Sequence, residues 1–291
     1  ASMIFTRERA HGGFRDVTGW RKRQFLSVFE GFFRFNPFVS GKADIVVFSD
    51  ARRRTRTQNG KYFDTIHDPL IDASHKRALV WEAGFQGAHK LPIYSQRVGF
   101  DEPMRVIRKI SLNRNPKLKD LAVSYSKRIS ETAEIAFGQT NGNSEERAIV
   151  SQYEYARLVT NFLRKVRPRL AIFLCGSYGG VYSHVIKKCK GMGIVTAEFQ
   201  HGYVGKSHLA YNYSLKGEEY SSYLPDYYLT YGQYWKDQLI RFPNQTVVIG
   251  NPELKFQLSE RQNMTSRDEV LIVSQGTVTS RLVELTKELR K

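Results

Sequence analysis

The chain has 291 residues, of which 41% are hydrophobic, with Phe and Tyr abundant. That is material for a substantial buried core and excludes wholesale disorder. Lys and Arg number 45 against 28 Asp and Glu, a net charge of +17, so an anionic partner is expected: nucleic acid, an anionic membrane surface, or a phosphorylated or acidic substrate.

The first pattern is at residues 20–35. Phe25, Val28, Phe29, Phe32 and Phe33 recur at helical spacing behind the basic triplet Arg21, Lys22 and Arg23. It predicts a helix whose aromatic face packs on the core, or, on a sharper reading, one that touches a membrane or lipid-linked acceptor. Ile45 to Phe48 (IVVF), closed by Ser49 and Asp50, predicts a buried parallel strand. The polar stretch from Arg52, which holds Arg53, Arg54 and Arg56, reads as a loop running into a helix that starts near Asp68 and Pro69. Ala78 to Trp81, ending at Glu82, gives a second strand and Leu91 to Tyr94 a third. Helices are expected over 117–137 and 144–164. The latter sets Ile149, Tyr153, Ala156, Val159 and Leu163 on one face, with Asn143 and Glu146 as its capping pair.

The most regular stretch follows. Leu170 to Leu174 is a strand, Gly176 to Gly180 a glycine-rich turn, and Val181 to Lys190 a helix. Ile194 to Phe199 is the next strand, ending in Gln200-His201-Gly202. Strands at Tyr227 to Tyr231 and Thr246 to Ile249 follow, with a helix between them. Strand and helix alternating at this spacing predict an α/β fold, a Rossmann-like parallel sheet with helices on both faces. Leu258 to Asp268 is polar and reads as a linker. Val270 to Val273 then opens a second β-α unit, with a turn at Ser274-Gln275-Gly276-Thr277 and a helix from Ser280. The expected organisation is a domain over 1–257, a linker over 258–268, and over 269–291 the first unit of a second domain cut short, because one strand and one helix bury no core alone. The alternative is that this unit adds a last strand to the first sheet.

The order of these segments resembles two-domain GT-B glycosyltransferases, and more narrowly the bacterial capsule and lipopolysaccharide enzymes that carry a Gln-His-Gly turn. The resemblance is carried by Leu170–Gly180, by Ile194–Gly202 (IVTAEFQHG), by Pro225–Gly232 (PDYYLTYG) with Trp235, and by Val247–Pro252 (VVIGNP). It spans residues 165–280. It implies transfer of a sugar from a nucleotide-sugar, used as substrate with no resident cofactor, to a glycan or lipid-linked acceptor of a growing surface polysaccharide. The donor site would lie mostly in the second domain.

Sugar transfer needs a base for the acceptor hydroxyl and positive charge or amide donors for the leaving phosphate. His201 is the candidate base, with cleft-lining contact and fixing of its turn as the alternatives. Glu198 stands beside it as a second catalytic candidate, or as a salt-bridge partner at the sheet rim. Gln200, Gly202, Gly176, Ser177, Tyr178, Asp50 and Arg53 are candidates for substrate binding. Exposed amides before a helix hold phosphate, and tight packing accounts equally for the glycines. Ser274, Gln275, Gly276 and Thr277 are the donor-side candidates. No cluster with metal-ligand spacing is present in the sequence.

Cys175 and Cys189 fit neither a metal site nor a disulfide framework and read as buried thiols of a reducing compartment. No apolar run approaches the about 20 residues of a membrane span, and no signal peptide is visible. A cytoplasmic protein is expected, free or peripheral on the inner face of the cell membrane. A nucleic-acid partner is disfavoured, since no helix-turn-helix, zinc-finger or RNA-binding-sheet signature occurs. A polyol-phosphate transferase, a sugar-nucleotide epimerase, and a non-catalytic binder of anionic glycan or lipid are the rival readings.

Overall fold

The computed structural model describes residues 17–56, 59–112, 116–137, 144–212, 218–260 and 279–289. In chain order, helix α1 (Val17–Phe33) precedes strand β1 (Ile45–Asp50), the short strands β2 (Arg54–Arg56) and β3 (Tyr62–Asp64), helix α2 (Asp68–Ser74), and strands β4 (Ala78–Ala83) and β5 (Val98–Phe100). Helices α3 (Glu102–Leu112), α4 (Pro116–Phe137) and α5 (Ser144–Val166) follow. Then come β6 (Leu170–Phe173), α6 (Gly180–Gly191), β7 (Val195–Phe199), α7 (Glu218–Ser221), β8 (Tyr227–Thr230), α8 (Gln233–Asp237), β9 (Gln245–Val248), α9 (Pro252–Glu260) and α10 (Thr279–Leu289).

Among the described residues, seven strands form one parallel sheet in the order β5-β4-β1-β6-β7-β8-β9, and β2 and β3 form a separate antiparallel pair. The fold is α/β and Rossmann-like. Its central strands are apolar throughout because both faces are covered. Val46, Phe48, Leu79, Trp81, Ala171 and Phe173 point to one face, under α3, α5 and α6. Ile45, Val47, Val80, Ile172, Ala197 and Phe199 point to the other, where Ile66, Leu70 and Ile71 pack. The period of two along each strand produces this division. The register sets Phe48 beside both Trp81 and Phe173, and the Phe48 and Phe173 rings stack at 4.8 Å. Burying a ring such as Phe48 stabilises the fold by about 1.5–3 kcal/mol. A further cluster, including Tyr211, Leu224, Tyr228 and Phe242, covers β8.

Several expectations are corrected. The aromatic stripe of α1 does not face the core: Phe25 is 71% exposed and Phe33 77%. The helix packs through its small residues instead. The Ser27 hydroxyl donates to the Gly87 carbonyl at 3.1 Å, and a Cβ at Gly31 would stand 2.9 Å from Cδ of Pro103 in α3. Periodicity finds an apolar face, but close approach here selects the opposite one. The segment 91–94 is no sheet strand. Pro92 has no N–H to give a ladder, and Ile93 makes only an isolated bridge to Tyr62. The third strand on that side is the short β5. The stretch after Arg52 is not a plain loop but carries the β2–β3 pair. Tyr153 points outward, 53% exposed, while Tyr155, Leu158 and Phe162 join Ala156, Val159 and Leu163 in the core. Helix α3 had no counterpart in the sequence reading.

The chain divides into two compact units, residues 1–254 and 255–291. The expected linker begins within α9, so residues 258–260 are helical. Helix α10 takes the place of the helix expected from Ser280. Asn143, the remaining linker, the strand over 270–273 and the turn Ser274–Thr277 lie outside the described residues.

Candidate functional site

From β1 the chain moves outward to β4 and β5. It then returns to β6 on the other side of β1 and moves outward again through β7, β8 and β9. The strand order therefore reverses between β1 and β6. In open parallel sheets a crevice forms at the carboxyl ends of the strands at such a point, because successive loops diverge there. The loops leaving β1, β6 and β7 bring the sequence candidates to this edge.

After β1, the Asp50 carboxylate caps a short turn. It accepts from the Arg52 backbone N–H at 2.9 Å and from the Arg52 guanidinium at 2.7 Å and 3.0 Å. Arg53 takes a different direction and donates to the His201 carbonyl at 3.4 Å. Arg54 is buried in an ion pair with Glu82, with Asp68 at 3.6 Å. Arg52, Arg53 and Arg54 are thus neither one binding patch nor a loose surface loop, since each of these guanidinium groups has its own setting. Glu82 at the end of β4 also binds His89, which bridges to Glu102 at 2.9 Å. These two carboxylates raise the His89 imidazole to about 9 against the opposing effect of burial.

After β6, Cys175 adopts a left-handed conformation (φ 60°) that turns the chain. Gly176 is closely packed: a Cβ there would lie 2.9 Å from Cδ1 of Ile186 and 3.1 Å from Cβ of Phe173. Ser177 follows, and its backbone N–H and hydroxyl both donate to Glu198 at 2.6 Å. Tyr211 donates to the other Glu198 oxygen at 2.9 Å. Glu198 is fully buried, so burial pushes its carboxyl up to about 7 while the Ser177 and Tyr211 hydrogen bonds resist. It is therefore no rim salt bridge. It pins the turn after β6 to the end of β7, which makes it a positioning residue. Tyr178, 37% exposed, leans over the edge, with its ring 5.4 Å from that of His201 and its hydroxyl 3.1 Å from Nε2 of His208.

After β7, the Gln200 side chain is fully buried and engaged internally. It donates to the Gly202 carbonyl at 2.9 Å and accepts from the Tyr231 N–H at 2.9 Å. As placed, it shapes the turn and does not offer its amide to a ligand. Gly202 is exposed, with open space where a side chain would be. His201 lies between these, half-buried, with Nε2 3.4 Å from the Cys175 sulfur. Burial first and the Arg53 charge second push its imidazole down to about 4, so it is neutral at neutral pH. Burial and the nearby Glu198 push the Cys175 thiol up to about 12, so it stays protonated.

His201, Arg53, Ser177, Tyr178 and Asp50 meet at one edge, supported by Glu198 and Gln200. The sequence reading missed Cys175, Tyr211 and His208 as parts of this cluster. His208 stands seven positions after His201 in a Gly-rich loop, a signal that was available in the sequence. Nothing in the sequence marked Tyr211. Among the described residues no group of three or more His, Cys, Asp or Glu side chains is arranged to hold a metal ion. No described helix is long and apolar enough to cross a membrane. No protein-family model matches the chain, and no curated protein matches it, so the functional reading rests on these residues and on the order of the segments that carry them.

Proposed function

We propose that the chain is the acceptor-side part of a glycosyltransferase that moves a sugar from a nucleotide-sugar to a growing surface polysaccharide on the cytoplasmic side of the cell membrane. In this reaction the acceptor hydroxyl loses its proton to a base. Its oxygen forms the bond to the anomeric carbon, and the bond to the nucleotide's phosphate breaks. The observation that most favours the reading is a neutral imidazole beside a cation at the strand-order reversal: His201 with Arg53 at its own carbonyl.

His201 is the proposed base. Its Nε2 faces the Cys175 thiol at rest, so the ring swings from the thiol to the acceptor hydroxyl to accept a proton. Part of its weak basicity is the charge of Arg53. A phosphate bound against Arg53 cancels that charge and strengthens the base when the donor is in place. Tyr178 supplies a phenol to orient the acceptor, and the neighbouring Ser177, buried with its amide and hydroxyl on Glu198, fixes the turn that carries it.

The test is made on the protein as its gene encodes it. UDP-, GDP-, CMP- and dTDP-linked sugars are screened by thermal shift, and transfer is then assayed with the class that binds. His201→Ala is expected to lower kcat by about 10²–10⁴-fold with an unchanged melting temperature. Absence of any nucleotide-sugar binding, or full activity in the His201→Ala protein, would sink the proposal. A shift with CDP-linked polyols alone would move the reaction to polyol-phosphate transfer.

A further inference from the structure

We propose that the outward face of α1 docks the protein on an anionic lipid bilayer. This inference stands apart from the sugar-transfer reading, since it uses none of the residues at the carboxyl edge of the sheet.

Phe25, Phe29 and Phe33 follow one another at intervals of four and are 71%, 54% and 77% exposed, with Leu26 at 50% beside them. The rings of Phe29 and Phe33 lie 4.6 Å apart and form a continuous aromatic ridge. Four large apolar side chains in one exposed stripe mark an interaction surface, unlike the scattered apolar residues of an ordinary surface. The helix cannot bury the ridge by rolling inward. Its other face is fastened by the Ser27–Gly87 hydrogen bond and by the contact of Gly31 with Pro103, where the two helices come too close for any side chain at position 31.

Charge identifies what the ridge meets. Arg23 and Arg34 are exposed near its two ends, Arg21 and Lys22 precede it in the sequence, and Glu30 is the single acidic residue within α1. An apolar ridge bracketed by cations fits a surface with an apolar interior and anionic headgroups, in which rings enter the acyl boundary and guanidinium groups stay among the phosphates. A second copy of this chain fits poorly, because each copy carries +17 and the contact would oppose like charges. No described helix is long and apolar enough to cross a membrane, and a helix lying in the interface plane needs only one apolar face.

The experiment is co-sedimentation of the whole chain with vesicles of phosphatidylcholine, alone or mixed with phosphatidylglycerol, over a salt titration. The wild-type chain is expected to bind the anionic vesicles and to release with salt, as screening predicts. F25S/F29S/F33S is expected to weaken binding by more than about tenfold without lowering the melting temperature, because all three residues are exposed. R23E/R34E, which leaves the ridge intact, is expected to lose the preference for anionic vesicles, and it decides the matter should the triple variant fail to fold. The proposal is overturned by absence of vesicle binding, by equal binding of the wild type and either variant, or by a wild-type dimer that the triple variant converts to monomer.

Discussion

Glu198 has an acidity set by its place in the fold. Burial raises it from an ordinary value of 4.5 to about 7. Below pH 4.5 folded and unfolded chains both hold the proton. Between 4.5 and 7 the unfolded chain releases it first, so stability falls as pH rises, and above 7 the full loss is in place. The shift corresponds to no more than about 3 kcal/mol. Glu198→Gln removes this titration. Its amide oxygen still accepts from Ser177, and its NH2 meets the Tyr211 hydroxyl, which can reverse and accept. Urea unfolding at about pH 5 and about pH 8 therefore has an expected result: the variant gains on the wild type by about 1–3 kcal/mol at the higher pH. A stability gap that stays constant with pH would show that Glu198 is not held in this state. His201 titrates in the opposite sense, its contribution being lost as pH falls from 6.5 through about 4. It does so in both proteins and cancels in the comparison.

At the scale of elements, the contact between α1 and α3 shows how sequence can misdirect. Gly31→Ala places a Cβ where Pro103 Cδ stands at 2.9 Å. The helices must part, and overpacking of this kind costs about 1–3 kcal/mol. Helix propensity works the other way, since Ala is favoured over Gly by about 1 kcal/mol. A net loss of stability in urea unfolding is the expected outcome, and a gain would mean that α1 is free to move. The same contact explains why the aromatic stripe, which its period alone allows to face the core, points outward. The period was legible, but which side a neighbour occupies depends on Ser27, Gly31 and Pro103, residues distant in sequence and unremarkable in composition. The central strands were legible for the opposite reason: IVVF and LAIF are apolar at every position, which only a strand covered on both faces requires. The short β5 was hidden because its three residues, Val98-Gly99-Phe100, carry no period. At the site, turns at strand ends were legible as Gly-rich breaks. The internal engagement of Gln200 and Glu198 was not, because it depends on Ser177 and Tyr231 arriving from two other loops and on Tyr211 folding back from further along the loop after β7.

At the scale of the whole molecule, the excess of 17 positive charges acts in two separable ways. Diffuse repulsion among exposed Lys and Arg disfavours the compact state, and added salt relieves it gradually. The buried Arg54, Glu82, His89 and Glu102 network is shielded from that screening by the protein around it. Stability in urea is therefore expected to rise steadily with sodium chloride. A fall would show that exposed ion pairs outweigh the repulsion. An anion that occupies the candidate site adds a term of another form, because binding to the folded state alone stabilises by RT ln(1 + [L]/Kd). Inorganic pyrophosphate, compared with chloride at equal ionic strength, is expected to give extra stabilisation that follows this logarithmic form and begins at low concentration. Arg53 donates to the His201 carbonyl, so Arg53→Ala is expected to remove the extra component and to leave the chloride response unchanged. If the extra component survives in Arg53→Ala, pyrophosphate binds elsewhere on the basic surface and the edge of the sheet loses its claim to the phosphate. If chloride and pyrophosphate act alike in the wild type, the charge serves only solubility and surface association.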